Sequence, residues 1–131
     1  MSDLNKSLVA RWFDEVWNQE RAETIDELLH PDAVIHDGSG EIRGPQGFHE
    51  FRNTIHQSFT DVRVRPQEVI CEGDVAAVRW VGTLKPKGSD RTISVSGMSM
   101  VRIKDGQFIE AWQNWDEHGL SRQVAEISAV A

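Results

Sequence analysis

The sequence has few of the features that mark secreted or membrane proteins. It contains a single cysteine, Cys71, which cannot form an internal disulfide, and we interpret it as a buried, inert thiol at the end of a predicted strand. The longest apolar runs are only a few residues, so no transmembrane segment is predicted. The polar start "MSDLNKSLVARWF" lacks the basic flank and the uninterrupted apolar core of a secretory signal. These absences predict a cytoplasmic protein with no membrane partner.

Positive charge is also scarce. The chain has 14 Lys and Arg residues against 21 Asp and Glu residues, which gives a formal net charge of -7. Binding to phosphate groups needs clustered basic side chains, whereas the basic residues here are scattered along the chain. The charge therefore argues against a nucleic-acid partner, and it disfavours anionic membrane surfaces for the same reason.

Length and composition predict a globular domain. The chain has 131 residues, of which 39% are hydrophobic and 27% charged. This length allows one domain with a real core and is too short for two ordinary domains. We therefore predict one domain that covers residues 1–131.

Three helices are predicted in the first half of the chain. The first carries apolar residues at the spacing of one helical face, namely Leu4, Leu8, Val9, Trp12, Phe13 and Val16. The second, in "RAETIDELLHPD", runs through Leu29 and is stopped by Pro31, because the residue before a proline is pushed out of the helical region. A short strand, "AVIHD", and a loop, "GSGEIRG", come next. Pro45 then begins a third helix, whose apolar stripe consists of Phe48, Phe51, Ile55 and Phe59.

Four strands are predicted in the second half. The segments "DVRVRPQEVI", "DVAAVRWVGTL", "RTISVSGMSMVRI" and "QFIEAWQNW" are rich in β-branched and aromatic residues that alternate with polar ones. Turn residues at "CEGD", "KPKGSD" and "KDGQ" separate them. Helices followed by an antiparallel meander predict an α+β domain in which the helices cover one face of the sheet.

The register of the last hairpin can be predicted by counting from its turn. If Asp105 and Gly106 form a two-residue turn, Lys104 faces Gln107 and the later pairs follow. One face then carries Ser99 opposite Trp112, Gly97 opposite Asn114, and Val95 opposite Asp116, while the other carries Met98, Met100, Ile109, Ala111 and Trp115. Neither face is plainly charged, so we expect helices around a cavity to cover one face and a partner subunit to cover the other. The pattern predicts a homo-oligomer with a pocket.

Several motifs together resemble a known family. The segments "ELLHPDAVIHD", "GFHEF" and "VRWVGT" are followed by G-x-S-x-x-R-x-x-D-G-x-x-x-E-x-W at residues 97–112 and by W-D-x-x-G-L at residues 115–120. In this order they are similar to the SnoaL-like polyketide cyclases of the NTF2-like superfamily, over nearly the whole chain. The resemblance implies a cone in which a curved antiparallel sheet wraps three N-terminal helices around a deep apolar pocket. It also implies a homodimer or larger homo-oligomer, a hydrophobic small-molecule substrate, and catalysis without a cofactor.

The resemblance places one residue in a catalytic role. Asp116 matches the aspartate that acts as general acid and base in cyclases that close a ring by intramolecular aldol condensation. Removing a proton from carbon next to a carbonyl needs a base whose pKa is not too low, and aromatic neighbours that exclude water would raise the pKa of a carboxyl group. Spacing alone favours another role, because an aspartate at the end of a strand commonly caps the turn or helix that follows. The two roles are compatible with each other.

Further residues are candidates for binding the substrate. Asn114 and Ser99 would lie near Asp116 on the predicted face and could donate hydrogen bonds to a carbonyl oxygen, and His36 could add a second donor or a base. Aromatic side chains would supply the dry surroundings, namely Trp112, Trp80 and Trp115, of which only Trp112 shares the predicted face of Asp116. Phe48 is a further candidate for contact with the substrate. Each has an ordinary structural alternative, and Asn114 stands close to Asp116 where characterised cyclases place histidines in the pocket.

Other chemistries match less well. The five histidines include no pair at the i,i+4 spacing of a helical metal site, so no metal is predicted. The chain has no tyrosine, which excludes the tyrosine donor of ketosteroid isomerases. Two classes of function remain. One is a cyclase or isomerase that acts by acid/base catalysis, and the other is a non-catalytic domain that binds a small molecule or associates chains, with an epoxide-hydrolase-like hydrolase as a weaker option.

Overall fold

The helices and strands follow the predicted α+β order. The computed structural model describes the backbone of residues 2–130 and the side chains of residues 3–128. Its helices are α1 (Ser2–Arg11), a π-helical segment that continues it (Trp12–Asn18), α2 (Glu23–Leu28), α3 (Gly44–Ser58) and α4 (Glu117–Val130). Its strands are β1 (Leu29–Asp37), β2 (Gly40–Arg43), β3 (Phe59–Glu72), β4 (Val75–Pro86), β5 (Ile93–Lys104) and β6 (Gln107–Trp115). The α+β class is therefore confirmed. In the described part of the chain, no helix is long and apolar enough to cross a membrane.

The strands form a curved, unclosed sheet in the order β2-β1-β6-β5-β4-β3. Strands β3 to β6 make the predicted antiparallel meander, and β1 pairs parallel to β6. The prediction of a loop at "GSGEIRG" was wrong, because Gly40–Arg43 form β2 and pair antiparallel with β1. A tight turn at Gly38 and Ser39 joins the two strands, so turn residues and a strand share one short segment.

Two helix boundaries differ from the prediction. Helix α2 ends at Leu28, and Leu29 is already extended and pairs with Phe108 of β6. Phe59, predicted as the last apolar residue of the third helix, is instead the first residue of β3. In both places a residue that completes a helical stripe is also the first residue of a strand, so periodicity alone does not decide its state. Helix α4 was not predicted.

The end of the first helix is wider than an α-helix. The π-helical segment buries Trp12, Phe13, Val16 and Trp17. Asn18 closes it, because its side-chain amide donates to the Val64 carbonyl at 3.1 Å and its amide oxygen accepts from the Val64 N–H at 2.8 Å. These bonds hold the helix end against β3 and direct its large aromatic side chains at the sheet. A sequence pattern read with α-helical periodicity does not reveal this extra width.

A β-bulge overturns the predicted register of the last hairpin. The predicted turn is correct, since Lys104 pairs with Gln107 and Ile103 with Phe108. Ile109 is then an extra residue on β6, and Arg102 pairs with Glu110. All later pairs are shifted by one residue: Met100 with Trp112, Ser99 with Gln113, Met98 with Asn114, and Gly97 with Trp115.

The bulge exchanges the two faces of β6 relative to β5. The face towards the helices, here called the inner face, carries Ala111, Gln113 and Trp115 beside Ser99 and Val101. The opposite, outer face carries Trp112 and Asn114 beside Met100 and Met98. The predicted grouping of Ser99 with Trp112, Asn114 and Asp116 was therefore wrong, because one inserted residue moves every later side chain to the other face.

Asp116 begins helix α4. Its backbone N–H donates to the Ser96 carbonyl at 3.0 Å, which ends the β5–β6 ladder. Its Oδ1 accepts the Gly119 N–H at 2.9 Å, and its carbonyl accepts the Leu120 N–H at 3.0 Å. Asp116 is thus the N-cap, the role that spacing alone favoured. A side chain at position 119 would press on this carboxylate, since a Cβ there would lie 2.7 Å from the Asp116 Cγ.

The cap makes a prediction about stability. Asp116→Ala leaves the Gly119 N–H in the first turn of α4 without its acceptor, so we expect the free energy of unfolding to fall by about 1 kcal/mol. Asp116→Asn keeps an oxygen that accepts the same hydrogen bond, and its loss should be only a few tenths of a kcal/mol. Urea denaturation followed by circular dichroism measures both. Equal losses in the two variants would contradict the capping role.

Candidate functional site

A cavity of about 140 Å³ lies between the helices and the inner face of the sheet. Helical side chains form one wall, including Trp12, Trp17, Phe48 and Phe51, and inner-face residues such as Val78 and Val101 form the other. Aromatic pairs brace the helical wall, because Phe48 packs edge-on against Trp12 at 4.9 Å and against Trp17 at 6.0 Å between ring centroids. The wall is therefore mostly apolar and rigid, which suits a hydrophobic ligand.

Polar groups enter this apolar wall along one row of the sheet. Ser99 on β5 pairs with Gln113 on β6, and Gln113 pairs with Asp37 on β1. Ser99 and Gln113 line the cavity, while Asp37 lies at the end of β1, two residues after the cavity-lining Ile35 and on the same face. This polar row, Ser99–Gln113–Asp37, crosses three adjacent strands.

Asp37 is the most heavily hydrogen-bonded group of the polar row. Its Oδ1 accepts the Gln113 amide at 2.8 Å and the Trp115 indole N–H at 3.1 Å. Its Oδ2 accepts the Ser39 hydroxyl at 2.6 Å and the Ser39 N–H at 3.2 Å. Partial burial acts to raise the pKa of Asp37, but the hydrogen bonds from Ser39, Gln113 and Trp115 together outweigh it and lower the pKa below its ordinary value. Asp37 is thus an anion at neutral pH, and it fixes two side chains of the cavity wall.

At the other end of the polar row, Trp80 holds Ser99. The Trp80 indole N–H donates to the Ser99 Oγ at 3.0 Å, and both residues line the cavity. The indole lies over Gly97, where a Cβ would lie 2.7 Å from two of its ring atoms. Only glycine at position 97 leaves room for the ring in this position. Trp80 is therefore fixed by the backbone of β5 as well as by its hydrogen bond.

Four of the predicted site residues lie outside the cavity wall. Asp116 is exposed and caps α4, Asn114 is exposed on the outer face, and Trp112 and His36 are half-buried on that face. The placement of Asp116 in dry aromatic surroundings was therefore wrong, and the bulge at Ile109 is the physical reason. The structure does bring together the other three, Ser99, Trp80 and Phe48, in the cavity wall.

His36 belongs to a separate cluster on the outer face. Its Nε2 lies 2.8 Å from the Glu110 Oε2, and its Nδ1 lies 3.5 Å from the Glu41 Oε2. Its ring stacks on Trp112 with 5.4 Å between centroids and 23° between planes. These contacts occupy both ring nitrogens on the side of the sheet that faces away from the cavity.

Sequence reasoning missed two residues of the site, Asp37 and Gln113, and it named Trp115 as an available aromatic residue but placed it on the opposite face from Asp116. Alternation within each strand carries a signal for them, since Asp37 shares a face with Ala33 and Ile35, and Gln113 and Trp115 share one with Ala111. That signal gives common faces within a strand. Which face of β6 lies beside the inner face of β5 depends on the bulge, and the sequence pattern does not reveal the bulge.

Titratable groups are almost absent from the cavity wall itself. Among the described residues, the lining contains one ionisable side chain, Arg63, which is also 3.4 Å from Asp61. Within that part of the chain, no three His, Cys, Asp or Glu side chains are grouped so that they could hold a metal ion. The chemistry available to a ligand in the cavity is therefore that of Ser99, Gln113 and Arg63, with Asp37 one hydrogen bond behind the wall.

Solved structures share this fold. IdmH from Streptomyces antibioticus, described as a proposed polyketide cyclase, is 25% identical with a TM-score of 0.80, and the match covers 92% of this chain and 97% of that one. A proposed polyketide cyclase from Acidithiobacillus ferrooxidans is 23% identical with a TM-score of 0.83, over 94% and 95% of the two chains. A proposed SnoaL-like polyketide cyclase from Jannaschia sp. CCS1 is 22% identical with a TM-score of 0.79, over 91% and 90%.

Sequence comparison gives the family. Among curated proteins, none matches the chain. The family model described as SnoaL-like domain matches residues 9–111, which include α2, α3, strands β1 to β5 and the first five residues of β6. This match means that the chain belongs to the SnoaL-like domain family. The structural neighbours of the chain have the NTF2-like fold, in agreement with its curved sheet and apolar cavity.

Proposed function

We propose that the protein is a cofactor-independent enzyme of the cyclase or isomerase type that acts on a hydrophobic, carbonyl-bearing small molecule. The observation that carries the proposal is the polar row Ser99–Gln113–Asp37 on the inner wall of an otherwise apolar cavity. Family membership supports the reaction class. Action without a cofactor and a cytoplasmic location stay predictions from the sequence.

In this proposal Asp37, and not Asp116, is the base. Asp37 lies on the inner face and is joined through its Oδ1 to two cavity-lining side chains, Gln113 and Trp115. Its lowered pKa keeps it deprotonated at neutral pH, so it can accept a proton. Asp116 follows the outer-face residues Trp112 and Asn114 in the alternation of β6, and its carboxylate caps α4. A shift of the Gln113 amide away from Asp37 would bring the carboxylate into contact with a ligand.

The low pKa of Asp37 restricts the substrate. A weak base removes a proton efficiently only from a carbon acid that is itself strongly activated. Carbon between two carbonyl groups meets this condition, and such carbons recur in polyketide-like esters. We therefore propose that the substrate carries a 1,3-dicarbonyl unit and that the reaction is of the intramolecular aldol or isomerisation type.

Ser99 is the proposed donor to the carbonyl oxygen. Two strand spacings separate Ser99 from Asp37, a distance of about 10 Å between their backbones. Side chains on one face of a sheet stand roughly perpendicular to it, so one substrate lying over Gln113 would contact both. The hydroxyl then faces the oxygen on which negative charge develops, while the carboxylate faces the activated carbon.

A second function is favoured by a specific observation. No carboxylate or imidazole lines the cavity among the described residues, and the Asp37 oxygens already accept four hydrogen bonds. A domain that only binds a small hydrophobic molecule needs no base and would have this arrangement. Loss of turnover on changing Asp37 discriminates between the two.

Asp37→Asn tests the proposed base. Asparagine is nearly isosteric and keeps an oxygen to accept the Gln113 and Trp115 bonds, but it cannot take a proton. We expect catalysed hydrogen–deuterium exchange at the activated carbon of a small β-keto ester, ethyl acetoacetate, to fall by about 100-fold or more. Proton NMR in D2O measures this rate above the buffer rate.

Asp116→Asn is the matched control. It makes the same carboxylate-to-amide change at an exposed residue and keeps the cap, so exchange should remain at the wild-type rate. Full exchange activity in Asp37→Asn would exclude Asp37 as the base, whereas a wild type that binds the ester but exchanges it only at the buffer rate would support the binding function. Loss of activity in Asp116→Asn alone would restore the first candidate base.

The pH dependence of exchange follows from the lowered pKa of Asp37. A base acts when it is deprotonated, and because the pKa of Asp37 is lowered, its carboxylate stays deprotonated as the pH falls towards the ordinary pKa of an aspartate. We therefore expect the enzyme-dependent rate to show no acid limb from this group between about pH 8 and pH 5. A limb with its midpoint near pH 6 would mean that another group, such as a histidine, is the base.

We also propose that the protein forms a homodimer through the outer face of the sheet. This face exposes Ile70, Met98 and Met100, whose side chains are 65%, 63% and 46% exposed. Met100 pairs across the strands with Trp112, and Ile70 and Met100 both pair with Ala77 of β4. Contiguous exposed apolar side chains on a sheet face mark interaction sites, and a second copy of the same face is a self-complementary partner.

Met100→Glu tests the dimer. A charge in the centre of the apolar face cannot be buried against a second copy, so we expect the variant to be monomeric where the wild type is dimeric. Leu4→Glu is the control, because Leu4 is 57% exposed but lies on α1. Sedimentation equilibrium measures the mass of each. A wild type that stays monomeric at tens of micromolar would contradict the proposal.

A further inference from the structure

The cavity combines a small volume with one oriented hydroxyl. Its volume of about 140 Å³ is below the usual size of pockets for drug-sized ligands, which is about 300 to 1,000 Å³. A protein cavity of about 150 Å³ with a similar apolar lining accommodates benzene. The space therefore suits one six-membered ring and is too small for fused rings unless the wall moves.

The hydrogen-bonding state of Ser99 is set by Trp80. A serine hydroxyl has one proton to donate and two lone pairs to accept with. Trp80 donates its indole N–H to the Ser99 Oγ, so one lone pair is used. Among the described residues, the hydroxyl has no acceptor for its own proton. The proton is thus available to a ligand in the cavity that Ser99 lines.

The orientation of this hydroxyl depends on β5. Gly97 pairs directly with Trp80, and the absence of a side chain at position 97 lets the indole lie flat along the strand towards Ser99. The ring is therefore held from below by backbone and at its edge by the hydroxyl. The Trp80 N–H restricts rotation of the Ser99 hydroxyl. A serine in an apolar wall without such a donor would lack this restriction.

We infer that the cavity selects a ligand the size of a single ring that bears one hydrogen-bond acceptor, with Ser99 donating to that oxygen and Trp80 acting as the positioning residue. The inference deepens the proposed function by naming the size and the acceptor of its substrate. It requires the cavity to be the binding site, but it does not require any group to catalyse a reaction.

Two matched ligands test the acceptor. Acetophenone and α-methylstyrene have nearly the same shape, and a CH2 group in the second replaces the carbonyl oxygen of the first. We expect the wild type to bind acetophenone about fivefold more tightly, the effect of one neutral hydrogen bond in a dry site. Binding is measured by isothermal titration calorimetry on the full chain, without any turnover.

Variants locate the preference. Ser99→Ala should bind both compounds with equal affinity, and Trp80→Phe, which removes the N–H but keeps a ring, should reduce the preference to about twofold. Trp112→Phe is the matched control on the outer face and should keep the full preference. Thermal unfolding of each variant checks the fold, and the comparison in the wild type needs no variant.

Size is tested with 2-acetylnaphthalene, which adds a fused ring to acetophenone. We expect it to bind at least tenfold more weakly than acetophenone, because the second ring exceeds the cavity volume. Equal affinity for acetophenone and α-methylstyrene, tighter binding of the naphthalene, or no binding of any of the three would overturn the inference. These outcomes are independent of whether Asp37→Asn abolishes proton exchange, so failure of the inference and failure of the proposed base can be told apart.

Discussion

One extra residue in β6 determines which side chains reach the cavity. The bulge at Ile109 breaks the pairing between Ile103–Phe108 and Arg102–Glu110, and all later residues of β6 are rotated to the opposite face. Because of it, Gln113 and Trp115 point at the helices, while Trp112 and Asn114 point outward. Without the bulge, the alternation of side chains along β6 would bring Trp112 and Asn114 to the inner face. Asp37 would then have no partners on β6. The polar row and the outer apolar face therefore share one cause.

The polar row in turn links the sheet to the cavity. Asp37 is at the end of β1, the strand that joins the meander through its parallel pairing with β6. Its single Oδ1 receives donors from two positions of β6, so the β1–β6 junction is fixed by side chains as well as by backbone. The same bonds hold Gln113 and Trp115 in the wall. The Asp37 carboxylate therefore both stabilises the β1–β6 junction and positions two side chains of the cavity wall.

The sequence predicted the α+β class, three helices, the meander and the two-residue turn at Asp105 and Gly106, because alternation, helical spacing and turn chemistry are local signals. The π-helical segment, β2 and the bulge were not predicted. Each of them depends on tertiary partners: Val64 for the helix end, β1 for β2, and the pairing with β5 for the bulge. For the site, Ser99, Trp80 and Phe48 were predicted and lie in the cavity wall, whereas Asp116 was expected there and caps a helix instead. The inner and outer faces of β6 were assigned wrongly because of one extra residue, Ile109, whose residue type does not mark it as a bulge in the sequence.

The composition of the inner wall argues that the cavity is more than a packing defect. A sheet face covered by helices gains stability from apolar side chains, and each polar group placed there must find a hydrogen-bond partner to offset its lost hydration. Asp37 meets this condition fully, but the Ser99 proton and the Gln113 amide oxygen have no partner among the described residues. Valine at position 99 would remove the hydroxyl proton but leave the Trp80 N–H without its acceptor, and leucine at position 113 would remove a donor to Asp37. Each residue thus uses one polar group within the wall and leaves a second one free for a ligand, and the two lie side by side on neighbouring strands.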